Sequence, residues 1–505
     1  MRPVSRARLR TKTGCLTCRQ RKKKCDETTP VCGECIRNRR SCQWPGSREL
    51  VDRRFAVHEA SRYWAASAEL GHAKTSPLVS ISTLLAESGA AHALTSREMP
   101  VVLARHFLDR YFDLILLPTC HRSFRDDWLV GIKQLMHTHE CLFYSVLACS
   151  ASHIYLLDNN TPTQSLALRY YTKATGALSA RLKGSPHPED DDGLLMSVML
   201  LYLHGVSDLD KRPWPFSHTD KLLQCIGLGT YVDIPIHVNA AVRILRARIL
   251  DRRGRITSLF DRVAIESVLF QIFLLMTGLW SQPPQVDCAI DATFWGRAED
   301  VLKKCDLFPG AEAAESLNSP VLGVSASLLT LSTLLRQQFG RHALADAETM
   351  RRARDEVEDW ERTLLLPDDP CPAAPLTGTC NDHIYKDVKL LYSITVSLLF
   401  RQLSRRNQAC SPSPLPEPGS SWQVRKAISI IQRHKGDVAW TRCFVGNWPV
   451  YTLGFLTEAP EDQQIIRDDL QERLEATGFA QIPRFQADLE ETWSQRRNGE
   501  ISVSF

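Results

Sequence analysis

Along most of this chain, apolar residues recur at helical rather than strand spacing. Leu103, Phe107, Tyr111 and Leu114 fall on one face of a helix, with Arg105, Asp109, Arg110 and Asp113 mostly on the other. Apolar runs over Leu142–Leu157, Leu194–Leu203, Val268–Trp280, Val321–Leu335 and Leu390–Leu403 predict further helices. Strand-like alternation closed by hairpin turns is scarce. Proline-rich stretches at Ser185–Pro188, Pro367–Pro375 and Pro412–Pro418 read as exposed loops between helices. The pattern fails toward the N-terminus. From Gln43 to about Ser96 the chain mixes charges, Ala and Ser with few large apolar residues, and Arg19–Lys24 has none at all.

Composition sharpens that division. A chain of 505 residues exceeds the usual size of one hydrophobic core, so two or more domains are expected. The content of 44% hydrophobic and 24% charged residues is that of a globular protein. The formal charge of +5 hides an asymmetry: residues 1–54 carry 16 Lys/Arg against 5 Asp/Glu, and the rest of the chain 46 against 52. A basic head on a mildly acidic body points to a polyanionic partner. Met1–Gly14 is Arg-rich and lacks the apolar stretch of a signal peptide. Val268–Trp280, the apolar part of the longest uncharged segment, is too short to cross a bilayer, so no membrane partner is expected. In a reducing compartment the 16 cysteines would bind metal or pack as small hydrophobes.

Six of them stand at Cys15, Cys18, Cys25, Cys32, Cys35 and Cys42, giving C-x2-C-x6-C-x6-C-x2-C-x6-C. A CxxC pair at a turn brings two sulfurs to one ion, and soft thiolates select zinc. Two tetrahedral zincs need eight ligand positions, and six thiolates supply them only if two sulfurs bridge. An alternative mini-core of packed cysteines fails for want of apolar neighbours. No histidine precedes His58, which removes the base deaminases and RING-type zinc folds.

The segment Cys18-Arg19-Gln20-Arg21-Lys22-Lys23-Lys24-Cys25-Asp26 resembles the C-R-x-R-K-x-K-C-D signature of the fungal binuclear zinc cluster DNA-binding domain, and Pro30 matches that family's turn between half-clusters. The resemblance implies that Cys15, Cys18, Cys25 and Cys32 hold one zinc, that Cys32, Cys35, Cys42 and Cys15 hold the other, and that Cys15 and Cys32 bridge. It also places a base-reading lysine at Lys22, with Arg21 beside it, and a CGG triplet as the usual half-site. Arg19, Lys23 and Lys24 are expected on phosphates. Read as one short helix, this run of cations would repel itself unless zinc held it and DNA neutralised it.

The body is similar to the fungal-specific transcription factor domain over Arg105–Leu117, Ser145–Ile154 and Ala167–Thr175. Trp448-Pro449, Leu453-Gly454 and Asp488–Trp493 resemble that domain's C-terminal end. In this family a dimerising coiled coil often follows the cluster. Leu50, Val57 and Trp64 recur every seven residues, but Arg54 and Ser61 between them do not make a seam, so homodimerisation stays open. No phosphate loop, nucleophile elbow or HExxH is present, and no catalytic residue is assigned. His137-Thr138-His139-Glu140 reads as a surface or cap pair rather than a metal site, Glu189–Asp192 as a helix N-terminus, and Cys141 and Cys149 as inert core thiols.

The expected fold is mostly α: a two-zinc cluster at 13–45, a linker at 46–95 and an all-helical regulatory domain at 96–500. The expected function is that of a nuclear regulator of RNA polymerase II genes, acting on a metabolic or secondary-metabolite gene set. Its partners would be double-stranded DNA and the transcription machinery, and it would not be an enzyme. The rival reading is a small-molecule-binding or enzymatic helical protein tethered to nucleic acid by the zinc head.

Overall fold

The computed structural model describes residues 14–21, 23–44, 98–158, 161–207, 233–252, 254–281, 292–305, 307–308, 318–339, 347–365, 382–408 and 422–498. Every regular element among them is helical. The chain divides into two units, Met1–Arg62 and Tyr63–Phe505. The heptad positions Leu50, Val57 and Trp64 and the later proline-rich stretches lie outside the described residues.

The small unit has two short helices, α1 (Leu16–Gln20) and α2 (Gly33–Arg37), each opening just after the first cysteine of a CxxC pair. Among the described residues no aliphatic core underlies them. The buried set is Cys15, Cys18, Cys32 and Cys35, with Cys25, Cys42 and Trp44 packed around it.

In the large unit the apolar runs form the expected helices. The first is α3 (Met99–His106), prolonged by a π turn at Phe107–Tyr111 and a last turn at Phe112–Leu114. Leu103, Phe107, Tyr111 and Leu114 are buried, and Arg105, Asp109 and Arg110 are exposed. After α4 (Arg122–Thr138) comes α5 (Glu140–Asp158), which packs against α3, α4, α6 (Thr161–Gly184) and α7 (Asp192–Ser207). Over Glu140–Leu157, α5 is long and apolar enough to cross a membrane, but 78% of that stretch is buried inside the unit, as befits a core helix. Against α7 lies α8 (Asp233–Leu245), and beyond it α9 (Leu259–Thr277).

Two expected helices have different ends. The run Val268–Trp280 belongs to α9, which Gly278 stops at φ 55°, a conformation that favours glycine. Val321–Leu335 becomes α11 (Ala326–Phe339), following α10 (Ala292–Lys303). Val321 and Leu322 stay outside α11 because their amides donate to the buried Glu266 carboxylate at 2.9 and 3.0 Å, and Gly323 turns the chain at φ 61°. Arg262 Nε and Ser319 Oγ complete the partners of Glu266, so the charge is paired and hydrogen-bonded where it is buried.

Next come α12 (Ala347–Leu365) and α13 (Asp382–Gln408), which pack together, and α13 also meets α11. The C-terminal group is α14 (Trp422–Arg433), α15 (Val438–Arg442), α16 (Asn447–Leu456), α17 (Pro460–Thr477) and α18 (Gln481–Arg497). Trp440, Trp448 and Trp493 are among its fully buried side chains, each contributing roughly 1.5–3 kcal/mol or more by burial. Arg473, also fully buried, pairs with Asp469 at 2.6 Å and stacks 4.8 Å from the Trp440 ring centre, while Trp440 Nε1 donates to Asp469 at 2.7 Å.

Candidate metal centre and nucleic-acid interface

The six cysteines of the head form two overlapping quartets. The sulfurs of Cys15, Cys18, Cys25 and Cys32 lie within 4.8 Å of one another, as do those of Cys15, Cys32, Cys35 and Cys42. Cys15 and Cys32 belong to both. The Cys15–Cys32 and Cys18–Cys32 sulfur separations are 3.6 Å, and Cys15–Cys35 is 3.8 Å. With zinc–sulfur bonds of about 2.3 Å, the edge of a ZnS4 tetrahedron is about 3.8 Å, so the donor set fits zinc. Burial pushes the Cys35 thiol up to about 12 and also raises Cys15 and Cys18, while at Cys32 hydrogen bonds from Cys35, Cys18 and Cys15 outweigh burial and hold the thiol down to about 6. Thiolates gathered here therefore need a cation among them.

The two halves repeat each other in detail. Cys18 N–H donates to Cys15 Sγ and Cys35 N–H to Cys32 Sγ, both at 3.4 Å. Cys15 N–H donates to Cys25 Sγ and Cys32 N–H to Cys42 Sγ, also at 3.4 Å. Such amide donors orient thiolates and lower their charge density. Gly14 must be glycine, because a Cβ there would meet Cys25 Cβ at 2.6 Å. Asp26 braces the crossing between halves by accepting from Gly33 N–H at 2.8 Å. The Thr29–Pro30 bond in that crossing is cis, and Trp44 Nε1 donates to Pro30 O at 2.8 Å, closing the end of the domain onto its middle. Gly14 and Trp44 were not singled out from sequence, and Asp26 was noted only as part of the signature. A clash and two long-range hydrogen bonds leave no periodic trace.

The basic run does not form the one helix expected from Cys18 to Cys25. Helix α1 ends at Gln20, Arg21 sits in a turn, and Lys23 and Lys24 are exposed beyond it, outside any regular element. The reason is geometric: seven residues of helix span about 10 Å, whereas the Cys18 and Cys25 sulfurs lie within 4.8 Å. The chain must leave the helix to return Cys25. Cations thus gather at and past the C-terminal end of α1, where the helix dipole favours them. Arg19 lies on α1, and Lys22 lies outside the described residues.

Elsewhere, His139 proves to be buried rather than on the surface. It is the C-cap of α4 and meets Asp191 at 3.0 Å, and Asp191 accepts from Leu194 N–H at 2.9 Å, capping α7. Arg181 also pairs with Asp191, while Arg248 pairs with Asp192 and Arg252 with Glu189 and Asp190. Cys141 and Cys149 are fully buried, with Cys149 Sγ donating to Leu200 O at 3.1 Å.

Comparison with known proteins agrees with this geometry. Residues 13–49 match the fungal Zn(2)-Cys(6) binuclear cluster domain, which binds two zinc ions, and residues 102–225 match the fungal specific transcription factor domain. Transcription factor lfc1 of Flammulina velutipes is 61% identical over 36 residues, 7% of this chain and 13% of the relative. Zinc cluster transcription factor CZF1 of Candida albicans is 64% identical over 36 residues, 7% of this chain and 9% of the relative. The Zn(2)-C6 fungal-type transcription factor afumD of Aspergillus fumigatus is 27% identical over 149 residues, 29% of this chain and 34% of the relative. The chain thus spans about a third of the last relative's length and far less of the other two. These are the domains and relatives of transcription factors, not of enzymes. Both domains are matched in this order behind a six-sulfur double quartet, so residues 13–49 and 102–225 are similar to the two domains of fungal zinc cluster transcription factors.

Proposed function

We propose that this protein is a sequence-specific DNA-binding regulator of RNA polymerase II genes, acting in the nucleus. Its zinc head (13–45) reads a CGG-like triplet, a linker (46–95) follows, and the helical domain (96–500) regulates. Cys15, Cys18, Cys25, Cys32, Cys35 and Cys42 hold the two zincs, with Cys15 and Cys32 shared. The observation that carries this reading is the double quartet itself, with an exposed basic segment leaving one of its helices. Bound zinc supplies cross-linking and charge neutralisation, and a closed all-sulfur set leaves no open position for chemistry. The residues then present cations to DNA. Lys22 and Arg21 offer hydrogen bonds to guanine O6 and N7 in the major groove, and Arg19, Lys23 and Lys24 neutralise phosphates. The target genes are a metabolic or secondary-metabolite set, reached with the transcription machinery and, where half-sites are paired, as a homodimer.

Selection from a random duplex library with the full zinc-loaded chain tests this reading. Enrichment of sites containing CGG-like triplets is expected. Retention of duplexes without sequence preference overturns it.

A further inference from the structure

The zinc head repeats itself at an offset of 17 residues, with α1 (Leu16–Gln20) mapping onto α2 (Gly33–Arg37). The turn after each helix maps as well: Lys23 N–H donates to Cys18 O and Arg40 N–H to Cys35 O, both at 3.0 Å. Cys15 and Cys32 each belong to both sulfur quartets, so the operation that carries one onto the other also carries it back. The repeat is therefore a half-turn about an axis through the cluster. Under it, Arg39 and Arg40 are the sequence counterparts of Lys22 and Lys23.

This second basic end has no use inside the head. Arg37 is tied to Glu34 at 3.2 Å, whereas Arg39 and Arg40 are exposed, with no side-chain partner among the described residues. Arg39 also holds φ 48°, a left-handed conformation that glycine or asparagine adopts at less cost. An arginine kept there supplies its side chain at the expense of backbone strain. A DNA duplex offers the matching symmetry. Its strands are antiparallel, so dyads across a groove relate the phosphates of one strand to those of the other, and two-fold proteins align with them. We propose that Arg39 and Arg40 form a second phosphate-binding edge of the head, gripping the strand opposite the one that Lys23 and Lys24 neutralise. Ile36, Asn38 and Ser41 stand where the first half has Arg19, Arg21 and Lys24, so this edge carries two cations against five. That suits backbone support rather than base reading. An acidic peptide fits less well, because a single polypeptide strand has no half-turn symmetry. The inference rests on the reading of the head as a DNA-binding domain.

The test uses the full-length, zinc-loaded chain. Arg39→Asn, Arg40→Gln removes both charges and leaves at 39 a residue that tolerates positive φ. This double variant should hold two zincs and reduce the slope of log affinity against log salt by about 2, alike on CGG-containing and random duplexes. Neutral methylphosphonate linkages, introduced one at a time into a CGG-containing duplex, should weaken the wild-type chain on both strands. In the double variant sensitivity should vanish on one strand and persist on the other, and Lys23→Gln, Lys24→Gln should show the reverse. An unaltered salt slope, or sensitivity on both strands in the double variant, overturns the proposal. So does an unaltered slope with lost binding to a polyglutamate peptide, which would assign the arginines to an acidic partner. A wild-type chain that binds no duplex overturns the DNA reading too, which separates the two failures. If the double variant loses zinc, Arg40→Gln decides alone, with a slope change of about 1 expected.

Discussion

Cys15 differs from Cys25 in belonging to both sulfur quartets, and that difference can be measured. Cys15→Ala removes a donor from each zinc, whereas Cys25→Ala removes a donor from one. Titration with a zinc-responsive chromophore should show both ions weakened in the first variant and one in the second. Equal behaviour of the two variants would remove Cys15 from its bridging place. Gly14→Ala, which drives a Cβ to 2.6 Å from Cys25 Cβ, should weaken zinc binding although no ligand is lost. The basic residues divide by a second criterion. Lys22→Ala should cost about 1–3 kcal/mol on a CGG-containing duplex and much less on random duplex, as a base contact does. Lys24→Ala should weaken both evenly and reduce the salt slope by about 1, as a phosphate contact does. Loss of affinity for all sequences alike in Lys22→Ala refutes base reading by that residue.

At the scale of elements, α3, α5 and the end of α17 meet at two histidines. His153 Nε2–H donates to Thr477 O at 3.0 Å, which leaves its Nδ1 to accept from His106 Nε2 at 2.9 Å. Burial, helped by Arg110 nearby, pushes both imidazoles down to about 4. In the unfolded chain they titrate near 6.5. Between those values the unfolded state binds more protons, so stability is full above about pH 6.5 and falls as pH drops toward 4. The loss approaches about 3 kcal/mol per histidine at 1.36 kcal/mol per unit. The thermal midpoint should fall already between pH 6.5 and 5, before carboxylates such as Asp191 protonate. A His106→Gln, His153→Gln double variant should flatten that window, and an unchanged slope would exclude the pair as its cause. This junction was invisible in the sequence, since His106, His153 and Thr477 share no local pattern. What was legible was whatever repeats locally. Leu103, Phe107, Tyr111 and Leu114 mark a face, and six cysteines mark a metal site because ligation demands their spacing. The ends of α9 and α11 were misplaced because a glycine at positive φ and the distant Glu266 set them, not apolar periodicity. The basic run was overextended as a helix because the return of Cys25 to the cluster is a constraint of tertiary structure.

Across the whole molecule, the two units draw stability from different sources. In the head the buried set consists of cysteines, and the apolar side chains Val31 and Ile36 are 39% and 62% exposed. A domain of this size has at most a few kcal/mol from apolar burial, whereas structural zinc in small domains supplies roughly 10–16 kcal/mol near neutral pH. The body instead buries tryptophans, tyrosines and long apolar helices, and among its described residues no four cysteines gather. Metal should therefore be required for one unit and not for the other. A strong chelator added to the full-length chain should abolish binding to a CGG-containing duplex. Helical circular dichroism and the main thermal transition should stay nearly unchanged, and added zinc should restore DNA binding. Extensive helix loss on chelation would contradict this division of stability. It would direct attention to His383, His434 and Asp437, whose donor atoms lie within 4.8 Å of one another. The stacked rings of His383 and His434, 10° from parallel, argue against such a site, because their nitrogen lone pairs lie in separate planes and do not converge on one ion.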